Sequence, residues 1–318
     1  MSITKTSLVD RYRPESFDSV IGQEHVISVL KEIIAKKEKP PHMLFIGPAG
    51  TGKTTVAICL AKALHGTSWR TYFHEFNASD NRKIDFIRSD IKPLSQSVVE
   101  QEIFFDEADG ITFDSQQALR RIIEQSPNTT FILTANTETK LIEPLRSRCV
   151  IFRFKALTED QIKTKLFDIF QKEKVDVKFN EEEREALIQI IKESHGDLRK
   201  AINILEKIIT SNKELNVKSV LEMSSVDLVT DAVNTAIKGN FEGAKNLIED
   251  AYIVSGNSVD RVIDDLYFAV DKVEDNDVKI RLYHELGVLD HQVRTSTKPI
   301  IQLVAWISFA WICPRLKK

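Results

Sequence analysis

The octapeptide GPAGTGKT, residues 47–54, constrains the fold of this 318-residue chain more than any other segment. It follows the apolar run MLFI and leads into TVAICLAKAL, whose apolar residues recur at helical spacing. A glycine-rich loop between a strand and a helix lets backbone N–H groups surround phosphate oxygens, and the helix start adds the positive end of its dipole. The segment therefore predicts a strand–loop–helix phosphate site, and its intact context disfavours a plain glycine-rich turn.

This loop predicts specific contacts to a nucleoside triphosphate. Lys53 is expected to reach the β- and γ-phosphates, and Thr54 is expected to ligate Mg²⁺. The predicted nucleotide-binding residues of the loop are Gly47, Pro48, Ala49, Gly50, Thr51, Gly52, Lys53, Thr54 and Thr55.

A second apolar run, EIFFDEAD at residues 102–109, ends in carboxylates. Asp106 ends a predicted buried strand, so its carboxylate is expected at the sheet edge where the phosphate loop also lies, and there it can hold Mg²⁺. Glu107 can orient and polarise an attacking water as a general base. Two carboxylates that merely cap the next helix are the alternative, which the complete phosphate loop disfavours.

The first half of the chain alternates short apolar runs with helical patterns, which is typical of a parallel sheet covered by helices. The runs are MLFIG (43–47), TYFHEF (71–76), EIFFD (102–106), TFILTAN (130–136) and VIFRF (150–154). Their Phe and Ile content favours strands that are buried on both faces. We therefore expect an α/β domain with a parallel five-stranded sheet over residues 1–156.

Only helical patterns follow the fifth run. The first of them opens with Thr158 and Asp160 in a capping-box-like arrangement. The last, PIIQLVAWISFAWICP at 299–314, is shorter than the roughly 18–20 apolar residues that cross a bilayer, so we expect a buried helix rather than a membrane anchor. The pattern predicts a small helical domain over 157–222 and a second helical domain over 223–318.

Composition limits the location and the partners of the protein. The N-terminus has no apolar leader, and three cysteines without a CxxC pair fit a reducing compartment. We expect a cytoplasmic protein, or a nuclear one in a eukaryote, that does not contact a membrane. The formal net charge of -3 does not favour nucleic-acid binding, so such binding requires a local basic face.

Four further polar positions are candidates for the same chemistry. Asn136 ends the fourth run, where its amide can position the attacking water or touch the γ-phosphate, although an Asn after a strand is usually a turn residue. Arg199 lies early in a predicted helix. Arg146 and Arg148 precede the fifth run in EPLRSRC, and the residues alone leave open whether they are solvated or face an anion.

Nine motifs together resemble one protein family. They are RYRP (11–14), GQEH (22–25), GPAGTGKTT (47–55), NASD (77–80), FFDEAD (104–109), SQQALRR (115–121), EPLRSRC (143–149), FRF (152–154) and GDLRKAIN (196–203). They occur in the order found in the small subunits of replication factor C, the sliding-clamp loader of archaea and eukaryotes. The resemblance covers roughly residues 8–210 and continues more weakly through the helical C-terminus. The phosphate loop is generic to many nucleotide hydrolases, whereas NASD, ALRR and the Ser-Arg-Cys element are far more specific.

The resemblance implies an AAA+ nucleotide-binding domain, a helical lid and a C-terminal collar that assembles five subunits. It implies ATP and Mg²⁺ as cofactors, with Thr54 and Asp106 at the metal and Glu107 completing the Walker B pair. Asn136 resembles the residue called sensor 1. Arg199 resembles sensor 2, which touches the γ-phosphate from the lid. The residues that resemble the segment around the nucleotide base are Arg11, Tyr12, Arg13 and Pro14.

Arg148 resembles the arginine finger of the family, which acts on ATP bound to the neighbouring subunit. The chemistry is consistent with this role, because a permanently charged, planar guanidinium stabilises the charge that builds on the γ-phosphoryl oxygens. A finger supplied by a neighbour makes hydrolysis depend on assembly. Arg146 stays open as a solvated or an interface residue.

Four arginines are candidates for DNA contact. Arg82 and Arg88 match basic family positions that face the primer–template duplex, in a predicted helix capped by Ser79 or Asp80. A solvated helix face is the alternative for these two. Arg120 and Arg121 can meet DNA or a neighbouring subunit, and the sequence does not choose between them. Phosphate contacts of this kind give affinity without sequence preference.

The resemblance implies an ATPase subunit of a clamp loader, which uses ATP to open a sliding clamp and load it on primed DNA. The implied partners are a large subunit, other small subunits, the clamp, and primer–template DNA without sequence specificity. Another AAA+ motor, such as a branch-migration helicase or a protein remodeller, is one alternative. A non-hydrolysing scaffold subunit is another, which the full set of catalytic residues disfavours.

Overall fold

A computed structural model describes seven stretches of the chain. They are residues 7–78, 84–173, 180–211, 214–217, 219–220, 225–254 and 259–316. The chain divides into two compact units. One comprises Met1–Asn180 with Ile190–Glu206, and the other comprises Glu181–Gln189 with Lys207–Lys318. The predicted boundaries of the lid and the collar stay predictions.

Five parallel strands form the sheet of the first unit. They are β1 (Met43–Ile46), β2 (Phe73–Asn77), β3 (Gln101–Asp106), β4 (Thr129–Ala135) and β5 (Val150–Arg153). Their order across the sheet is β2-β3-β4-β1-β5, and every neighbouring pair is parallel. The carboxyl ends of all five strands therefore lie at the same edge, and the predicted five-stranded parallel sheet is confirmed.

Helices account for most of the remaining described residues. In chain order they are α1 (Leu8–Arg11), α2 (Glu24–Ala35), α3 (Lys53–His65), α4 (Trp69–Tyr72), α5 (Ile84–Phe86), α6 (Lys92–Ser95), α7 (Phe113–Glu124), α8 (Glu143–Arg146), α9 (Glu159–Glu173), α10 (Glu181–Ser194), α11 (Leu198–Thr210), α12 (Ser225–Ile237), α13 (Phe241–Glu249), α14 (Val259–Asp271), α15 (Asn276–Thr295) and α16 (Pro299–Ile312). Single π-helical turns occupy Ile87–Ile91 and Asp250–Val254.

The sheet has an apolar core on each face, as the alternation of strand side chains requires. Phe45 of β1 and Phe104 of β3 lie in the cluster that includes residues of α2 and α3. The adjacent residues Leu44 and Phe105 lie in the cluster that includes Leu119 of α7. Both faces of the central strands are thus covered, which explains their continuous apolar runs.

The two edge strands depart from the sequence prediction. The run 71–76 begins inside α4, and β2 starts only at Phe73. Val150 and Ile151 of β5 are 43% and 36% exposed, so burial on both faces does not extend to this strand. An edge strand has one neighbour instead of two, so its side chains receive less cover.

Thr158 caps the start of α9 as predicted, but its capping-box partner is Gln161 and not Asp160. The backbone N–H of Gln161 donates to Oγ1 of Thr158 at 3.3 Å, and the N–H of Thr158 donates to Oε1 of Gln161 at 2.9 Å. This reciprocal pair is a capping box, in which the partner stands three residues after the cap. Asp160 is one residue too early for that position.

The second unit has a helical core of its own. Leu282 and Leu286 of α15 pack in one cluster with Trp306 and Ile307 of α16, which confirms a buried helix in the apolar segment near the C-terminus. Among the described helices, none combines the length and the apolar composition that crossing a bilayer needs.

Two residues of α15 provide a matched test of this core. Leu282 is fully buried, whereas Ile280 is 66% exposed. We expect Leu282→Ala to lower the free energy of unfolding by about 2–5 kcal/mol, because it removes a buried side chain and leaves a cavity. Ile280→Ala should change it by less than about 0.5 kcal/mol. Denaturant unfolding followed by circular dichroism measures both, and equal losses would contradict the assigned core.

Candidate active site

Most of the predicted site residues line one cavity in the first unit. Those that line it are Tyr12, Arg13, Pro14, Ala49, Gly50, Thr51, Gly52, Lys53, Thr54, Thr55, Asp106, Glu107, Asn136 and Arg199. Gly47 and Pro48 lie beside it and contact Lys53 through their carbonyl oxygens. Arg11 and Arg148 do not line the cavity. The structure therefore brings together the phosphate loop, the two carboxylates, Asn136 and Arg199.

The phosphate loop between β1 and α3 depends on glycines with left-handed backbones. Gly50 has a φ of 69° and Gly52 a φ of 95°, conformations that residues with a Cβ atom rarely adopt. A Cβ on Gly50 would also lie 1.7 Å from Oδ1 of Asp197. Because α3 begins at Lys53, the N–H groups of its first turn have no partner within the helix. The loop thus has the curvature and the donors that binding of a phosphate needs.

The side chain of Lys53 contacts both the phosphate loop and Asn136. Its Nζ donates to the carbonyl oxygens of Gly47 at 2.6 Å and Pro48 at 2.8 Å, and to Oδ1 of Asn136 at 2.8 Å. Burial lowers the pKa of Lys53 to about 8, although three nearby aspartates oppose the shift. A partly desolvated ammonium of this kind gains strongly from an anionic partner such as a phosphate.

Asp106, the last residue of β3, connects three elements at the carboxyl edge of the sheet. Its Oδ2 accepts from Oγ1 of Thr54 at 2.8 Å, and its Oδ1 accepts from Oγ1 of Thr134 at 2.5 Å. Thr54 belongs to the first turn of α3, and Thr134 belongs to β4. A hydroxyl and a carboxylate are hard oxygen donors, the type that Mg²⁺ takes from proteins. The pair Thr54 and Asp106 therefore fits the predicted metal.

Glu107 has a left-handed backbone, with φ 55° and ψ 44°. Such a conformation costs about 1–3 kcal/mol in a residue with a Cβ atom, and it is frequent at functional sites. The N–H of Glu107 donates to Oγ1 of Thr134 at 2.9 Å, which helps to hold this turn. The turn stops β3 and places Glu107 next to Asp106 in the cavity wall.

Asn136 reaches the phosphate loop because β4 and β1 are neighbours in the sheet. Ala135 is in register with Ile46, and the N–H of Gly47 donates to the Ala135 carbonyl at 3.2 Å. The backbone N–H of Asn136 donates to Oδ2 of Asp109 at 3.3 Å, which holds the backbone of Asn136 at the sheet edge. The parallel register therefore explains why the residue after one strand meets the loop after another.

Two residues at the start of α11, Asp197 and Arg199, lie near the phosphate loop. Asp197 caps the start of α11, since its Oδ1 accepts from the N–H of Lys200 at 3.0 Å. Arg199 lies in the first turn of α11 and lines the cavity. After burial, the charge of Arg199 is a further cause of the lowered pKa of Lys53, so the two cations share one electrostatic environment.

The N-terminal segment forms another part of the cavity wall. The hydroxyl of Tyr12 donates to Oε1 of Glu173 at 2.6 Å, and Nη1 of Arg11 pairs with the same oxygen at 2.8 Å. Burial and then Glu173 raise the pKa of Tyr12 to about 12. Arg11 is thus directed to α9 instead of the cavity. The apolar residues that complete the wall are Val9, Val20, Ile21, Leu157, Leu198 and Ile202.

Sequence reasoning missed three polar residues around this site, namely Thr134, Lys165 and Glu173. Lys165 lines the cavity, is only 8% exposed, and has a pKa lowered by burial. Its position carried a signal, because it lies on the same face of α9 as the buried Ile162 and Ile169. A lysine in an apolar helical stripe indicates a nearby polar cavity or partner.

The two arginines of EPLRSRC contact their own chain outside the cavity. Arg148 donates to the carbonyl oxygen of Pro144 and pairs with the carboxylate of Glu124. Arg146 pairs with Glu138, with 3.0 Å between Nη1 and Oε1. Arg146 therefore has an intramolecular partner, and neither arginine faces the phosphate loop of its own chain.

The candidates for DNA contact differ in exposure. Arg88, in the π-helical turn, and Arg121 of α7 are exposed. Arg120 is half-buried, and its Nε lies 3.6 Å from Oε1 of Glu124. Arg82 lies outside the described residues. DNA contact by these arginines stays a prediction.

Sequence relatives cover almost all of the chain. Residues 43–157 match the AAA family, described as "ATPase family associated with various cellular activities". The replication factor C small subunit of Archaeoglobus fulgidus is 38% identical over 311 residues, which are 95% of this chain and 96% of that protein. The replication factor C small subunit of Aeropyrum pernix is 38% identical over 328 residues, covering 100% of this chain and 98% of that protein.

Solved structures show a wider likeness in fold. The Thermotoga maritima RuvB Holliday junction branch migration motor matches with a TM-score of 0.56 and 24% identity, over 71% of this chain and 79% of that chain. A likeness at this identity concerns the fold alone. The two replication factor C small subunits match this chain at higher identity and over nearly its full length. On this evidence the chain belongs to the replication factor C small subunit family of AAA ATPases.

Proposed function

We propose that this chain is an ATPase subunit of a clamp loader, which uses ATP binding and hydrolysis to open a sliding clamp and load it on primed DNA. The observation that carries the proposal is the convergence of Lys53, Thr54, Asp106 and Asn136 through direct hydrogen bonds in a chain of this family. Glu107 and Arg199 line the same cavity. A non-hydrolysing scaffold would not need this complete set.

The residues divide the work of hydrolysis in a way that their geometry supports. Thr54 and Asp106 would hold Mg²⁺, which when bound neutralises part of the charge on the phosphoryl oxygens. Lys53 and the N–H groups at the start of α3 bind the phosphates. Glu107 orients the attacking water and takes up its proton, while Asn136 keeps that water and Lys53 aligned.

The cavity wall suggests how the rest of ATP is held. Tyr12, Arg13 and Pro14 contact the base together with the apolar side chains of the lid. Arg199 approaches the γ-phosphate from α11, so the lid closes on a nucleotide that carries three phosphates. In this assignment residues 1–156 form the nucleotide-binding domain, residues 157–222 the lid, and residues 223–318 a collar that joins subunits.

The proposed partners are a large subunit and other small subunits in a pentamer, the sliding clamp, and primer–template DNA. Arg88 and Arg121 are exposed and available for phosphate contacts without sequence preference. Arg120 is less available, because its guanidinium is paired with Glu124. The protein acts in the cell interior, where DNA is replicated.

The function is tested by purifying the chain with its large subunit and measuring ATP turnover. Primer–template DNA plus clamp should raise the rate, whereas a four-way DNA junction should not. Glu107→Gln should keep ATP binding and abolish turnover, because an amide cannot take up the proton of the attacking water. Glu100→Gln, an exposed change of the same type, is the control. Unchanged turnover in Glu107→Gln would contradict the assigned base.

Nucleotide binding should weaken as the pH rises above about 8. The lowered pKa of Lys53 in the free chain means that its ammonium loses a proton through about pH 8, whereas phosphates favour the charged form and raise that pKa. ATP binding therefore takes up a proton, and the Kd should rise by up to about tenfold per pH unit above that point.

Lys53→Arg is the control for this pH dependence, since a guanidinium stays charged throughout the range. Its affinity for ATP should be lower than that of the unchanged chain but flat with pH. Calorimetric titrations between pH 7 and pH 10 make the comparison. A flat profile in the unchanged chain, or the same slope in Lys53→Arg, would assign the titration elsewhere.

Arg148 should act only in the assembly. Because it lies outside the cavity of its own chain, Arg148→Ala should leave ATP binding to the isolated chain unchanged. It should lower the ATPase rate of the assembled complex by on the order of 10³-fold. Arg315→Ala, which removes an arginine from the second unit, is the control. A defect confined to ATP binding by the isolated chain would contradict a role across the subunit interface.

A further inference from the structure

Glu138 holds two arginines from different elements. Its Oε1 lies 3.0 Å from Nη1 of Arg146, which ends α8, and its Oε2 lies 2.7 Å from Nη1 of Arg153, which ends β5. The pKa of Glu138 is lowered, first by the hydrogen bond from Arg153 and further by Arg146. The side chains of Glu138 and Arg146 are 24% and 27% exposed.

One side of this ion pair leads to the nucleotide site. Glu138 begins the helical turn that follows β4, two residues after Asn136. Asn136 accepts from Nζ of Lys53 at 2.8 Å. The segment that carries Glu138 is therefore linked, through the side chain of Asn136, to Lys53 of the phosphate loop.

The other side of the ion pair leads to Arg148. The N–H of Arg148 donates to the Leu145 carbonyl at 3.3 Å, and the N–H of Cys149 donates to the Arg146 carbonyl at 3.0 Å. These bonds make Arg146 and Arg148 members of one tight turn between α8 and β5. Fixing the guanidinium of Arg146 consequently limits where the backbone of Arg148 can lie.

A buried amide keeps the two sides at a constant spacing. Gln116 of α7 is 3% exposed, and its Nε2 donates to the Lys140 carbonyl at 3.0 Å. Its Oε1 accepts from the N–H of Ile142 at 2.8 Å. Gln116 thus fixes the backbone between the Glu138 turn and α8. The ion pair between Glu138 and Arg146 joins the two ends of this segment.

We propose that Glu138 is a positioning residue for Arg148: through its ion pair with Arg146 it fixes the turn that presents Arg148 and joins that turn to the loop after Asn136. The inference rests on the proposed function, in which Arg148 acts on ATP of a neighbouring subunit. A finger that reaches across an interface needs a rigid base, because misplacing a reacting group by about 1 Å can cost up to about 10²-fold in rate.

The same contacts give the arrangement a direction. The side chain of Lys53 bonds to Asn136, the backbone joins Asn136 to Glu138, and Glu138 pairs with Arg146, so this series of links runs from the phosphate loop to the turn that carries Arg148. A change in what Lys53 binds alters one end of this series.

The test uses the assembled complex with clamp and primer–template DNA, with each change in every copy of this chain. Glu138→Ala should lower kcat by roughly tenfold and leave the KM for ATP unchanged, since only a group that acts in the transition state is displaced. Arg146→Ala removes the same ion pair from the other side and should match it. Arg153→Ala, which removes the other partner of Glu138, should leave kcat unchanged. Melting temperatures establish that each variant is folded.

A double-mutant cycle separates positioning from general damage. If Glu138 acts through Arg148, adding Glu138→Ala to Arg148→Ala should cause no further loss of kcat. Multiplied losses, a change confined to KM, or no effect of Glu138→Ala and Arg146→Ala would overturn the inference and leave the role of Arg148 intact. An unchanged rate in Arg148→Ala itself would instead remove the proposed finger, and the role of Glu138 would be lost with it.

Discussion

The two hydrogen bonds on the carboxylate of Asp106 are the constraint on which the site depends. Strands β3, β4 and β1 are consecutive and parallel, so the residues after each strand meet at one edge. Asp106 accepts from Thr54 of α3 and from Thr134 of β4, which ties the helix of the phosphate loop to two strands. Hydrogen bonds to a carboxylate are roughly twice as strong as neutral ones, so this junction holds the Asp106 carboxylate firmly at the sheet edge.

Much of the fold and of the site follows from local sequence patterns. The phosphate loop, the five strands and the carboxylates after β3 are encoded by adjacent residues, and the parallel topology then places Asn136 beside Lys53. The errors are local as well. Thr158 pairs with Gln161 instead of Asp160, because the cap is set by spacing and not by charge. The edge strand β5 is less buried than its composition indicates, because composition does not reveal the place of a strand in the sheet.

Contacts between distant charged residues could not be predicted in this way. Glu138 meets Arg146 and Arg153 only because of the path of the intervening backbone, and nothing in the spacing of these residues distinguishes them from solvated charges. The same holds for Glu173, which lies 161 residues from the tyrosine that donates to it. The burial of Lys165 differs in this respect, because the sequence shows this lysine at helical spacing from the apolar residues of α9. The sequence left the environment of Arg146 open, and the structure shows that it pairs with Glu138 of its own chain.

The hydrogen bond between Tyr12 and Glu173 has a consequence for nucleotide exchange. It connects the N-terminal segment to α9, and both contribute residues to the wall of the same cavity. A phenol with a pKa of about 12 stays protonated throughout the physiological range, so Tyr12 remains a hydrogen-bond donor there. In the proposed function, a base bound against this wall would leave when the segment or the helix opens locally. The frequency of that opening would then set how long spent nucleotide stays bound, independently of the rate of hydrolysis.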